Sequence, residues 1–184
     1  MRSSPFCDRC FEAIGPRTLM AQTSWDIVVE TLEAEMDQAP TRFFATFSRL
    51  EWAFGQEGTT YTLKPPRVGI NWDIVGQTFG GQFYKRIKED LVARRLINDP
   101  PQVIINEAGF GLRFEAEPPE CGDASAVFNA LARIRNNFFH GWKRGLEADD
   151  RRHIDDGNAV LRIAYEFCDG HPKLGSVAHR LIHA

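Results

Sequence analysis

The 184-residue chain reads as an all-α bundle of four to five helices, with one region open to a short β-hairpin. Apolar residues recur at three- and four-residue spacing over several long stretches, which is the period of an amphipathic helix. Segments rich in Gly, Pro, Asn or Asp separate those stretches. Two-residue alternation is confined to one short region between Pro100 and Pro119.

Trp25, Val28, Val29, Leu32 and Met36 form the first amphipathic pattern, after a Ser24 cap and before Pro40 stops it. Thr41 is placed to cap a second helix, "RFFATFSRLEWAF", with Phe43, Phe44, Phe47, Leu50 and Phe54 as its stripe and Gly55 near its end. "GQEGTTYTLKPPRVGI" reads as a loop. Asn71 opens "NWDIVGQTF", and after Gly80 and Gly81 the pattern resumes with Phe83, Ile87 and Leu91 on one face, as one interrupted helix or two. "QVIINEAGFGLRFE" fits a hairpin or an irregular loop equally well. Asp123 is placed to cap "ASAVFNALARIRNNFFHG", whose stripe is Val127, Leu131, Ile134 and Phe138. The last long helix, "DDRRHIDDGNAVLRIAYEFC", carries Ile154, Leu161, Ala164, Tyr165 and Cys168, with Gly170 at its C-terminus. The expected organisation is an N-terminal extension over 1–19, broken by Pro5, Gly15 and Pro16, a helical domain over 20–170, and a C-terminal tail over 171–184.

Composition narrows the function classes. Hydrophobic residues at 43%, charged residues at 26% and 14 Phe describe a globular chain with an aromatic core. A formal charge of -3 excludes a protein that coats nucleic acid non-specifically, while leaving room for a local basic site. The clusters at Lys85, Arg86 and Lys88, at Arg94 and Arg95, at Arg133 and Arg135, at Lys143 and Arg144, and at Arg151 and Arg152 read individually as solvated helix faces. No apolar run reaches the ~20 residues that span a bilayer, and the start of the chain lacks an apolar core of signal-peptide type. A cytoplasmic protein with reduced thiols and no membrane partner is expected. Cys7 and Cys10 have metal-ligand or redox spacing in "CDRC", but zinc needs two more ligands and no second pair appears, so no cofactor is assigned.

The chemistry concentrates in "RNNFFHG", Arg135 to Gly141. At about 100° per residue, Arg133, Asn136, Asn137 and His140 fall on the side away from the apolar stripe, and Arg135 lies between the two faces. The alternative is that His140 and Gly141 merely end the helix. Glu51 sits at the spacing of Phe47, Leu50 and Phe54, so a carboxylate interrupts an apolar face. Unpaired burial there would cost several kcal/mol, so it needs a cationic or donor partner, with an arginine of the helix after Asp123 as the candidate; the alternative is that Glu51 lies at the stripe's edge and reaches solvent.

"RNNFFH" resembles the Arg-x4-6-His motif of HEPN ribonucleases, including the polar residue after the arginine, here Asn136. "RNNFFHGWK" is similar to the "RNN-x-FHG-x-K" form of bacterial HEPN toxins, and "FSRLEWAF" resembles their preceding helix; the likeness touches roughly residues 40 to 170. The resemblance implies a HEPN-like helical bundle that homodimerises with its motifs facing, and metal-independent cleavage of RNA by its own 2′-hydroxyl, in a toxin or phage-defence effector. It implies catalytic roles for Arg135, His140, Asn136 and Glu51, and RNA binding by Arg133, Asn137, Lys143 and Arg144. Arg133 to His140 is itself an Arg-x6-His match, so either arginine fits; Asn136 favours Arg135. A cognate antitoxin or defence-system partner is also implied. In one branch the motif continues His-x-Tyr and an antitoxin modifies that tyrosine; here Trp142 stands at the position and offers no hydroxyl. The competing expectation is a catalytically inactive RNA-binding or dimerisation module on the same fold.

Overall fold

A computed structural model describes residues 38–107, 111–139 and 147–183. Within them lie six α-helices and one two-stranded sheet: α1 Gln38–Gly55, α2 Trp72–Glu89, α3 Ala93–Asn98, β1 Ile104–Glu107, β2 Gly111–Phe114, α4 Ala124–Phe139, α5 Ala148–Asp169 and α6 Gly175–His183. The expected helix containing Trp25 to Met36 lies outside the described residues, as do Cys7 and Cys10. No helix among the described residues is long and apolar enough to cross a membrane.

The expected stripe on α1 is its buried face, with Phe43, Phe47, Leu50 and Phe54 fully enclosed and Phe44 partly so. Thr41 does not cap a helix: both it and Pro40 lie inside α1, and whether the preceding pattern ends before Pro40 falls outside the described residues. Proline lacks an N–H, but the first turn of a helix does not use that donor, so Pro40 is tolerated there.

Asn71 caps α2 as expected, its side chain accepting from Ile74 N at 3.4 Å. The interruption is at Gly80, whose φ of 68° and ψ of -167° split α2 into two helical halves. That backbone region is essentially reserved for glycine. Leu91 departs from expectation: it is 71% exposed. The helical phase ends at Asp90, whose Oδ1 accepts from both Val92 N and Ala93 N at 2.9 Å, and the chain restarts as α3 with Ala93 and Leu96 buried instead.

Between the prolines the hairpin alternative is the observed one, with Ile104 opposite Phe114 and Glu107 opposite Gly111. Asp123 caps α4 by accepting from Ala126 N at 2.8 Å. Its stripe is buried at Val127, Leu131 and Ile134, whereas Phe138 stays 37% exposed and leans on Phe44 with ring centroids 4.6 Å apart. Glu147 and Asp150 form a reciprocal capping box at the start of α5.

Residues 171–184, expected as a tail, instead carry α6. Leu174, Val177 and Leu181 are buried against the bundle, and Arg180 pairs with Glu57 just beyond α1. The basic residues also do more than solvate helix faces. Arg95 of α3 holds the fully buried Asp156 of α5 through Nε at 2.7 Å, and Arg152 reaches Asp99 at 2.6 Å.

α2 and α4 approach each other closely at Gly76. A Cβ on Gly76 would stand 2.3 Å from Ser125 Cα, so only glycine lets the two backbones approach. Ser125 Oγ donates to the Asp73 carbonyl at 3.0 Å, and Asn129 Nδ2 donates to Asp73 Oδ1 at 2.7 Å, which fixes the start of α4 on the first turn of α2. The middle of α4 is thereby set beside α1 and the loop after it.

Candidate functional site

Three chain segments converge on the middle of α4. The segment after α1 folds back on itself, with Leu63 N donating to Gly69 O at 2.9 Å, Asn71 N to Tyr61 O at 2.7 Å, and a bridge between Thr62 and Ile70. The residue before β1, Val103, and the turn before α4, Pro119 and Glu120, line the same space. Among them opens a cleft of about 600 Å3, lined also by Asn129, Arg133, Arg135 and Asn136 of α4 and by Glu51 of α1.

Glu51 and Arg135, 84 residues apart in sequence, meet here: Arg135 Nη2 donates to Glu51 Oε1 at 2.6 Å. The partner that Glu51 needed is therefore Arg135. The pair is partly open to solvent, with 27% of the Glu51 side chain and 35% of the Arg135 side chain exposed. The guanidinium also lies 5.8 Å from the centroid of the Phe47 ring, which restrains its plane from beneath. Arg135 Nε is buried and has no hydrogen-bond partner among the described residues.

Arg133 enters the same cleft in a different state. Its Nε and Nη2 are both buried without a hydrogen-bond partner among the described residues. Burial lowers its pKa from the usual arginine value, opposed by the nearby Cys121. Burial likewise pushes the Cys121 thiol up to about 11, against the pull of Arg133, so at neutral pH it is a protonated, unreactive thiol.

Of the residues read from sequence, Glu51, Arg133, Arg135 and Asn136 are brought together on the cleft, with Asn136 exposed. Asn137 is not. It donates to the Gln102 carbonyl at 2.9 Å and pins the strand approach rather than facing the cleft, because one residue of helix turns it about 100° from Asn136. His140, Lys143 and Arg144 lie outside the described residues; His140 follows directly on Phe139, the last described residue of α4.

Sequence reasoning missed Glu120 and Asn129. Asn129 stands four residues before Arg133, a spacing that puts both on one helix face, so the signal for it existed. Glu120 sits in a Pro-rich turn where no periodicity applies. Among the described residues, no three His, Cys, Asp or Glu side chains converge as a metal site. No family model, curated protein or solved structure matches the chain.

Proposed function

We propose that this helical bundle is HEPN-like and that the protein is an endoribonuclease which cleaves RNA through the 2′-hydroxyl, acting as a toxin or phage-defence effector. The observation that carries the reading is the Arg135–Glu51 pair at the edge of an open cleft. It presents a restrained guanidinium five residues before His140 in sequence.

RNA supplies its own nucleophile, so such a site must move two protons and stabilise a crowded phosphorus centre. The 2′-oxygen attacks phosphorus, its proton passes to a base, and the 5′-oxygen leaves with a proton from an acid, giving a 2′,3′-cyclic phosphate and a 5′-hydroxyl end. His140, with an unperturbed pKa near ~6.5, suits either transfer. Arg135 would grip the non-bridging oxygens through the donors that Glu51 leaves free, and Asn136, exposed on the cleft, would orient phosphate or imidazole. One histidine cannot serve as base and acid in the same step. A second copy of the chain across a two-fold axis would supply the other, so the working form in this reading is a homodimer.

The test is single-turnover cleavage of total RNA in EDTA, with the new ends mapped and each variant melted in urea. His140→Ala and Arg135→Ala should each lose at least about 100-fold in rate. Arg135→Lys should recover little, since an ammonium lacks the paired donors. Glu51→Ala should lose activity while changing stability by about 1 kcal/mol or less, because its ion pair is partly solvated. An active His140→Ala protein, or losses that merely track unfolding, would overturn the reading. Wild-type protein that binds RNA without cutting it would favour the inactive binding module.

A further inference from the structure

The solvent side of α6 carries two histidines that the packing of the bundle does not use. At about 100° per residue, Leu174, Val177, Ala178 and Leu181 share the arc that α6 buries. His179 and His183 fall near the middle of the opposite arc, and both are exposed. They stand at i and i+4, the spacing that makes two side chains neighbours on successive turns. Their rings do meet, with centroids 4.6 Å apart and planes inclined at 45°. Beyond that contact, neither ring has a hydrogen bond, an ion pair or another ring partner among the described residues. His153 and His171 differ, since His153 Nε2 lies 3.1 Å from the Asp99 carbonyl oxygen and His171 Nδ1 accepts from Lys173 N.

Two imidazoles held one helical turn apart have the spacing of a chelate, and histidines at i and i+4 on one helix face are a recurring ligand pair for zinc. A tetrahedral zinc ion with Zn–N bonds of about 2.0–2.1 Å would set the two ring centres roughly 5 Å apart. The observed 4.6 Å is close to that, and because both rings are exposed, small side-chain rotations close the difference. Electrostatics at this end of α6 also favours a cation. His183 is the last residue of the helix, where the carbonyls without a helical partner carry partial negative charge. Arg180, which follows His179 in sequence, has its charge paired with Glu57.

We propose that His179 and His183 form a two-imidazole chelating site for a divalent cation of the zinc class, with water completing the coordination. Imidazole suits Zn2+, Ni2+ and Cu2+, whereas Mg2+ and Ca2+ take oxygen ligands, so the site selects the first group. The two rings adjoin only while residues 179 to 183 are helical. The cation therefore binds the folded chain in preference to the unfolded one and holds the last turn of α6 in place. The site is independent of the nuclease reading: neither histidine lines the cleft, and no step of the proposed cleavage passes through them.

The experiment titrates the full chain calorimetrically with Zn2+, Ni2+, Mg2+ and Ca2+, with Cys7 and Cys10 replaced by serine to remove the other candidate zinc ligands. Zn2+ and Ni2+ should each bind at one site per chain, and Mg2+ and Ca2+ should not bind at the same concentrations. Because the second imidazole engages intramolecularly, His179→Gln and His183→Gln should each weaken Zn2+ binding by at least about 100-fold. The thermal midpoint of the parent should rise with Zn2+ concentration and that of each variant should not. In EDTA all three should melt alike, since both positions are exposed, which separates loss of the ligand from loss of the fold. Zn2+ affinity that survives either substitution, or Mg2+ binding as tight as that of Zn2+, overturns the site. Cleavage of RNA in EDTA, whatever its outcome, bears on the nuclease reading alone.

Discussion

His153 sits half-buried in the second turn of α5, with Nε2 3.1 Å from the Asp99 carbonyl oxygen and 3.4 Å from Arg152 Nη2. Burial lowers its pKa, and Arg152 adds to that, against the opposing pull of the Asp99 carbonyl, Asp99 and Asp156. An imidazole whose folded pKa lies below its unfolded value of about 6.5 binds more protons when the chain is unfolded. Its stabilising contribution is therefore complete above that unfolded value and is lost as pH falls through the folded one. Asp156 runs the other way. Burial raises its pKa despite Arg95, so its contribution is complete below the unfolded value of about 3.9 and is lost as pH rises through the folded one. Between pH 5 and 7.5 the urea midpoint should rise in the wild type and rise less in His153→Gln; an identical rise would assign the effect to other groups. Single residues also mark how far the site was legible. Glu51 announced its need for a cation because it occupies an apolar register. Glu120 announced nothing, since a loop's path is not written in periodicity, and Asn137 parts from Asn136 to bond Gln102 because a polar arc wide enough for four residues cannot say which neighbour each will find.

Gly76 fixes how closely α2 and α4 approach. Gly76→Ala would drive a methyl into the Ser125 backbone, and neither main chain can yield as a side chain would, so the variant should lose about 1–3 kcal/mol in denaturant melts. A loss below about 0.5 kcal/mol would mean that the two helices separate more readily than their contacts imply. The residues that cap helices were readable here: Asn71 and Asp123 hold their helix starts as their side-chain chemistry requires. The start of α1 was not, because a proline is compatible both with the end of one helix and with the first turn of the next. α6 escaped notice because nine residues hold too few apolar repeats to stand out, although Val177, Ala178 and Leu181 do follow the helical interval. Leu91 kept the periodicity of α2 beyond the point where Asp90 ends it, and pattern alone cannot register a capped turn that breaks phase.

α6 also bears on the integrity of the whole bundle. Removing residues 174–184 strips out Leu174, Val177 and Leu181, three buried side chains worth roughly 1.5–3 kcal/mol each, together with the Arg180–Glu57 pair. That sum is comparable with the total stability of an ordinary domain, so the shortened protein should fail to show a cooperative thermal transition; an unshifted melt would make α6 an appendage. The core it closes is threaded by aromatic rings: Phe43 stacks on Phe47, Phe47 meets Trp72 at 5.1 Å, and Trp72 lies parallel to Phe128 at 5.8 Å. Phe128 in turn stacks on Phe83, which meets Phe167 edge-on. Trp72 is thus the ring at which this stack reaches the cleft wall, 8% exposed, whereas Trp52 on α1 is 45% exposed. With the other indoles replaced by phenylalanine, Trp72 becomes an optical reporter with two opposite responses. A ligand that displaces water from the cleft shifts its fluorescence to the blue, unfolding exposes the ring and shifts it to the red, and occupancy and folding separate by the sign of a single colour change.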